Sequence, residues 1–138
     1  MAAPDTTPAP VSQEDFDEVK KRLKANMGHS LSLSLPLQYH NDYSIKRFLR
    51  AFQTVDNTFQ AILKCNKWRV EYGVKSISKD DPDIKRNIEC KKAMVLPNRD
   101  FYGRPVIYIP ACKHNVQERE IDELTRFIVY ILVRMREV

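Results

Sequence analysis

The sequence lacks the local signatures of the common catalytic sites. It contains no Gly-x-Ser-x-Gly segment, no His-Glu-x-x-His segment and no phosphate-binding P-loop. Its serine, histidine and aspartate residues are scattered and form no local motif. We therefore predict that the protein is not an enzyme and requires no cofactor.

Cysteine is scarce and is not arranged in pairs. Cys65, Cys90 and Cys112 lie far apart, without a Cys-x-x-Cys motif. An odd number of isolated cysteines indicates reduced thiols in a cytosolic protein. Cys112 and His114 are two residues apart, but the other histidines belong to the distant N-terminal third. A metal needs further ligands, so no metal site is predicted.

The sequence predicts no secretory leader and contains no long hydrophobic run. Its first ten residues, MAAPDTTPAP, have neither the basic start nor the apolar core of a signal peptide. The longest apolar run, Phe127 to Val133, is too short to span a bilayer. We expect a soluble, cytoplasmic protein whose contact with membranes, if any, is peripheral.

What the sequence does contain is typical of one globular domain with a basic surface. Its 138 residues are 30% charged and 43% hydrophobic, which excludes a disordered chain. A net charge of +5 favours acidic partners, either phospholipid headgroups or nucleic acid, although a solvated surface without a partner explains it equally well. No recognition helix or aromatic stacking platform accompanies the charge, so we predict no nucleic-acid partner.

The N-terminal third is predicted to be a tail, a helix and a connector. Residues 1–11 are rich in Ala, Pro and Thr and are expected to be disordered. Ser12 begins a helix with the apolar stripe Phe16, Val19 and Leu23, expected to end near Gly28. The alternating leucines of residues 31–37 have strand spacing, but Pro36 favours an extended connector.

Residues 42–72 predict two antiparallel amphipathic helices. Asp42 is expected to cap the first, and Thr54 or Asp56 the second. The side chains expected to face the core, from their three- and four-residue spacing, are Ile45, Phe48, Leu49, Phe52, Phe59, Ile62, Leu63 and Tyr72, with Cys65 and Trp68 near the same edge.

The remaining residues predict a short helix, a β-hairpin and a final helix. The short helix is expected over residues 81–91, with Ile84 and Ile88 facing inward. Residues 93–96 and 105–109 are expected to be strands on either side of a turn. The last helix, beginning at Asn115 or Gln117, has an apolar stripe too wide for a one-sided surface helix. The predicted fold class is therefore α+β, mainly α.

Two segments have the order and separation of a known pattern. The first contains RFLRA (47–51), WR (68–69) and YG (72–73), and the second is DFYGRPVIYI (100–109). Together they resemble the CRAL-TRIO family of lipid-transfer proteins over about residues 42–133. The resemblance assigns a structural role to Phe48, Leu49, Trp68, Gly103, Arg104 and Pro105.

The resemblance implies a helical N-terminal lobe over residues 12–92 and the beginning of a lipid-binding α/β lobe over residues 93–138. In that family a sheet and a mobile helix enclose a lipophilic molecule or phospholipid, and no covalent chemistry is involved. Candidate pocket residues are Val106, Tyr108, Phe127 and Ile131. Because family members continue for roughly another hundred residues, the second lobe is expected to be truncated, with lipid binding or transfer impaired.

Lys46, Arg47 and Arg50 are candidates for contact with an acidic headgroup or membrane surface. Their alternative interpretation is a solvated helix face. Where phosphatidylinositol-binding members of the family have a basic pair after RFLRA, this sequence has Phe52 and Gln53, which argues against phosphoinositide recognition. The alternative function is a helical protein-interaction or peripheral membrane-binding module without lipid transfer. The sequence does not predict the oligomeric state.

Overall fold

The computed structural model describes residues 10–27, 41–115, 117 and 120–135. The chain forms two compact units, residues 1–72 and 73–138. The first contains helices α1 (Gln13–Met27), α2 (Asp42–Phe52) and α3 (Val55–Glu71). The second contains α4 (Pro82–Glu89), strands β1 (Met94–Val95) and β2 (Ile107–Tyr108), and α5 (Ile121–Met135). A mainly helical α+β fold is confirmed.

Local hydrogen bonds define the helix ends of the first unit. The side chain of Asn41 accepts the backbone N–H of Ser44 at the start of α2, and that of Thr54 accepts the N–H of Asn57 at the start of α3. Gln53 ends α2 in the left-handed conformation, with φ of 65°, and its N–H bonds to the carbonyl of Leu49. This conformation reverses the chain within two residues, which explains the short link between α2 and α3.

The three helices of the first unit enclose one apolar core. Its six buried hydrophobic residues come from the predicted stripes: Phe16, Val19, Leu23, Ile45, Leu49 and Ile62. Phe48 and Phe59 are partly buried against them. Lys20 lies 2.8 Å from Asp42, and Arg22 lies 2.5 Å from Asp56, so ion pairs join α1 to both other helices. These pairs are solvent-exposed, and the apolar core therefore provides most of the stability.

Several expectations for the first unit are wrong in detail. Asn41, not Asp42, caps α2, because Asp42 is already helical and pairs with Lys20. Trp68, which was expected at the edge of the core, is 45% exposed and stacks on Tyr72 at a centroid distance of 5.1 Å. Phe52 is also exposed and stacks on Phe48.

The end of the expected tail, residues 10 and 11, lies within the described part of the chain. Val11, which was placed in the disordered tail, packs partly buried against the core of the first unit. An apolar side chain next to Phe16 has surface to bury, even in a proline-rich context. Residues 1–9 and the leucine-rich connector lie outside the described residues.

The second unit is a small hairpin packed with two helices. Strands β1 and β2 are antiparallel, with Met94 opposite Tyr108 and Val95 opposite Ile107. The predicted hairpin is therefore confirmed, although its paired strands are shorter than expected. Ile84 of α4 and Phe127 and Ile131 of α5 form the buried core, and Val95 and Ile107 pack on it.

The structure corrects two expectations in this unit. Ile88 is exposed, whereas its neighbour Asn87 is buried. The side-chain amide of Asn87 donates a hydrogen bond to Glu123 of α5, and this bond directs the Asn87 side of α4 inward. Helix α5 begins at Ile121 rather than at Asn115 or Gln117. Asn115 instead accepts the backbone N–H of Gln117 through its side chain, which favours a turn.

The division into units also differs from the expected lobes. The expected boundary lay between residues 92 and 93, whereas packing divides the chain between Tyr72 and Gly73. Helix α4, which was assigned to the helical lobe, packs with α5 through Ile84 and Phe127. Gly73, at this boundary, has a φ of 68°, a conformation that glycine adopts at little cost and that a residue with a side chain rarely adopts.

We predict that Ile62→Ala lowers the free energy of unfolding of the first unit by about 3 kcal/mol, because the fully buried side chain leaves a cavity. Val70→Ala on the same helix is the control. Val70 is 45% exposed, so its truncation should cost less than about 1 kcal/mol. The single tryptophan, Trp68, lies in this unit, and its fluorescence during urea denaturation measures both values. Equal losses for the two variants would contradict the assigned core.

Candidate functional site

The four candidate pocket residues lie in two different environments. Phe127 and Ile131 are buried in the core with Ile84. Val106 is partly buried and Tyr108 is exposed. Because neighbouring strand residues point to opposite faces, Val106 and Tyr108 share the hairpin face opposite Ile107, which packs on the core. The structure thus separates the two hairpin candidates from the two helix candidates.

Helix α5 has a second apolar surface besides the one in the core. Its members are exposed and spaced seven and four residues apart, which places them along one side of the helix. We call Ile121, Ile128 and Leu132 the outer stripe of α5. The sequence predicted that α5 has apolar residues on more than one side, and the structure confirms this. Phe127 and Ile131 are buried on one side, and the outer stripe is exposed on another.

Ion pairs and hydrogen bonds join α4 to α5. Two guanidinium nitrogens of Arg86, Nε and Nη2, donate to the carboxylate of Glu123. Oε1 of the same carboxylate also accepts from Asn87 Nδ2 at 2.5 Å. Arg126 donates to Asp81 and Asp83, each at 2.8 Å. These contacts fix the rotation of α5 and therefore determine which of its faces is buried and which is exposed.

The same contacts shift the ionisation of two carboxylates. The hydrogen bond from Arg86 holds the pKa of Glu123 below its ordinary value, and the amide of Asn87 acts in the same direction. Partial burial of Asp83 acts to raise its pKa, but the hydrogen bond from Arg126 and nearby backbone N–H groups outweigh burial and lower it. Both groups therefore stabilise the second unit in their charged form.

Described residues of the second unit line a larger and a smaller cavity. The larger, about 630 Å³, is lined mostly by residues with polar or charged groups, among them Arg86, Asn87, Lys92, Lys113, Glu120 and Glu123. The smaller, about 210 Å³, lies between the turn after Gly73 and the end of α5. Its apolar wall comes from Val74, Ile77, Tyr130 and Val133, with Lys79 and Arg134 beside them. None of the four candidate pocket residues lines either cavity.

The three cysteines are not joined to one another by disulfide bonds. Cys65, Cys90 and Cys112 are free, and the last two border the larger cavity. Within the described part of the chain, no three His, Cys, Asp or Glu side chains come close enough to bind a metal. His114, which follows Cys112 in sequence, contacts the backbone carbonyl of Lys92 at 3.1 Å. This contact gives His114 a structural partner in the second unit.

The three basic candidates on α2 lie in different surroundings. The ammonium of Lys46 is 5.0 Å from the ring centre of Phe16, on α1. Arg47 is exposed and lies over the ring of Phe48 at 5.6 Å. Arg50 is partly buried in the last turn of α2. Cation–π contacts therefore hold two of the three side chains against aromatic rings of the first unit.

The loop between the strands is held by Asp100. Its carboxylate accepts the backbone N–H groups of Tyr102 and Arg104, and it pairs with the Arg104 side chain at 2.6 Å. The hydrogen bond from the Arg104 backbone is the main reason that the pKa of Asp100 is lowered. Gly103 has a φ of 74°, so this turn requires a residue without a side chain. Pro105 then leads into β2.

The site residues that sequence reasoning missed are Asn87, Glu123 and Arg126, which set the contact between α4 and α5. A charged residue in an amphipathic helix predicts an exposed position. The available signal was the pair Asp81 and Asp83 near the start of α4, together with Arg126 within the apolar stripe of α5. Pairing them required the tertiary structure.

An antiparallel hairpin whose inner face packs on two helices thus forms the second unit. A family model described as the CRAL/TRIO domain matches residues 89–138. The matched segment contains both strands, the loop between them and α5, and the match confirms the resemblance for this part of the chain. The RFLRA and WR segments lie outside it. Searches of curated proteins and of solved structures found no match.

The structure also bears on membrane association. Among the described residues, no helix combines the length and the apolar character needed to cross a bilayer. Helix α5 is the most apolar, but it contains Arg126 and Arg134 and has only 15 residues.

We predict that Glu123→Gln destabilises the protein at neutral pH and that the difference from wild type shrinks in acid. The folded-state pKa of Glu123 lies below the ordinary value of 4.5. Its stabilising contribution is therefore present above that value and is lost as pH falls through the folded pKa. Thermal melting followed by circular dichroism from pH 7 to about 3 measures the difference.

The control for this prediction is Glu120→Gln. Glu120 is an exposed carboxylate just before α5, and its replacement should change the melting temperature little at any pH. A difference between wild type and Glu123→Gln that stays constant down to pH 3 would show that the Arg86–Glu123 pair does not contribute as described.

Proposed function

We propose that this protein binds a lipophilic molecule, without catalysis, and delivers it between membranes. The single observation that carries the proposal is the CRAL/TRIO match over residues 89–138. That domain class binds and transfers lipids, generally without covalent chemistry. The matched segment contains the outer stripe of α5, so the family match and an exposed apolar surface fall on the same helix.

The physical basis of such a function is burial of hydrocarbon. Moving an acyl or isoprenoid chain through water costs about 0.8 kcal/mol for each exposed methylene group. A carrier lowers this cost by covering the chain with apolar side chains. The outer stripe of α5 provides Ile121, Ile128 and Leu132, and the hairpin face of Val106 and Tyr108 provides further candidates.

The proposed position of the ligand depends on which apolar residues are already buried in the core. Phe127 and Ile131 support the fold, because they are buried against Ile84. We therefore propose that these two candidates shape the site from beneath and that the ligand contacts the exposed residues.

The free thiols support a cytoplasmic location, where cysteines remain reduced.

A second candidate function is a protein-interaction or peripheral membrane-binding module. It is favoured by the same outer stripe, since exposed apolar side chains aligned on one helix are also typical of an interface. The two candidates differ in the expected stoichiometry. A lipid carrier binds one lipophilic molecule in a saturable way, whereas an interaction module does not.

The experiment is a titration of the full chain with a phosphatidylcholine that has a fluorescent acyl chain, below the concentration at which the lipid aggregates. We expect saturable binding with one site. Ile128→Asn should weaken binding about tenfold, because a buried isoleucine side chain contributes about 1.5 kcal/mol or more. Because Ile128 is 48% exposed without ligand, the melting temperature of the Ile128→Asn variant should remain close to that of wild type.

The matched control is Val70→Asn, at an equally exposed apolar position on α3. It should bind the fluorescent lipid as wild type does. Equal weakening by both variants, or no saturable binding by the wild type, would contradict the proposed site. Loss of binding by Ile128→Asn together with a lowered melting temperature would instead show that Ile128 is part of the core.

A further inference from the structure

The most exposed aromatic side chain of the described structure lies at the tip of the hairpin. The tip consists of residues 97–104, between β1 and β2. Phe101 has a relative exposure of 105%, so its ring is as accessible to water as in an extended chain. Tyr102 beside it is also exposed. A phenylalanine held entirely in water makes no contribution to the core, so its whole ring is available for a binding contact.

The tip holds Phe101 outward through an ordered backbone. The Asp100 carboxylate accepts two N–H groups, from Tyr102 at 2.9 Å and from Arg104 at 2.8 Å. The N–H of Gly103 donates to the Asp100 carbonyl at 2.9 Å, and Arg99 donates to the Gly103 carbonyl at 2.7 Å. Because the loop is already ordered, binding through its tip costs little further conformational entropy.

The charge around the exposed ring is positive. Residues 97–104 contain Arg99 and Arg104 against Asp100, which gives the tip a net charge of +1 (two arginines and one aspartate). The guanidinium of Arg104 lies 4.9 Å from the ring centre of Tyr102, so a cation and an aromatic ring occupy the same end of the hairpin. The whole chain has a net charge of +5, which adds long-range attraction to an anionic surface.

These features match the chemistry of a membrane interface. Aromatic rings partition into the headgroup region of bilayers, and arginines there contact lipid phosphates. Two aromatic side chains bury only about 150–250 Å² each, which is less than the roughly 800 Å² that a stable protein partner covers on each side. A fluid bilayer needs no complementary surface, so a small protruding tip suffices.

We infer that the hairpin tip docks the protein on anionic phospholipid bilayers by inserting Phe101 at the interface. Exchange of a lipophilic ligand requires contact with a membrane. The role that we give to docking therefore rests on the proposed function. Its own evidence is the exposure, the ordered loop and the charge of residues 97–104, none of which belongs to the outer stripe of α5.

The test is co-sedimentation of the full chain with vesicles of phosphatidylcholine containing about one third phosphatidylserine. We expect Phe101→Ser to weaken binding about tenfold. Tyr43→Ser is the matched control, because Tyr43 is an aromatic residue of the first unit that is 71% exposed; this variant should sediment as wild type does. Vesicles without phosphatidylserine, or added salt, should weaken binding of the wild type.

A second measurement reports insertion directly. In the Trp68→Phe, Phe101→Trp double variant the only tryptophan lies at the tip, and its emission should shift to the blue when vesicles are added. Unchanged sedimentation of Phe101→Ser, or no spectral shift, would overturn the inference. Failure of the wild type to bind vesicles would also overturn the inference and would indicate that the Phe101 ring contacts a protein partner instead.

These outcomes are distinguishable from failure of the proposed function. If docking fails but the proposed function holds, the wild type still binds the fluorescent lipid in solution. If the proposed function fails, the fluorescent titration gives no saturation, while sedimentation with unlabelled vesicles remains a valid measure of docking. Phe101→Ser should retain the fluorescent-lipid affinity of the wild type, because Phe101 does not belong to the outer stripe.

Discussion

The second unit depends on the burial of Ile84 of α4 against Phe127 and Ile131 of α5. This contact is the main source of hydrophobic stabilisation in the unit, and β1 and β2 rely on it because a two-stranded hairpin is marginally stable by itself. Val95 and Ile107 attach the hairpin by packing on the same core. Leu124 and Tyr130 also pack against this core, whereas Ile121, Ile128 and Leu132 of α5 face outward.

Polar contacts then give this apolar packing a unique orientation. Apolar side chains alone would tolerate some rotation of α5, whereas Arg86 with Glu123 and Arg126 with Asp83 bond in specific directions. The orientation matters for the proposed function, because it leaves the outer stripe exposed within the segment that matches the CRAL/TRIO model. The fold and the candidate site are therefore two consequences of one arrangement of α5.

The sequence predicted those parts of the structure that follow from local periodicity. Phe16, Val19, Leu23, Ile45 and Leu49 are buried because a stripe at three- and four-residue spacing has one core to face. Residues at the ends of such stripes were predicted less well, since burial there depends on where the neighbouring helix ends. Trp68 and Ile88 are apolar enough for a core and yet lie exposed.

The candidate site was predictable only in outline. The DFYGRPV segment indicated the turn, because Gly103 and Pro105 have distinct backbone preferences. It did not indicate that Phe101 would be fully exposed, because a phenylalanine beside a turn can fold back or point outward, and the Asp100 hydrogen bonds decide between these. The sequence also did not show that Phe127 is buried and Tyr108 exposed. Both have large aromatic side chains, and they differ in the surface that each one faces.

The central claim is that the surface left exposed on α5 binds one lipophilic molecule. Native mass spectrometry of the full chain, purified from cells without detergent, tests it most directly. The account predicts a bound species whose mass exceeds that of the protein by one lipid, released by organic extraction and replaced by added lipid at a ratio of one to one. A protein that remains free of lipid, and that acquires none when phospholipid or isoprenoid is added, would contradict it.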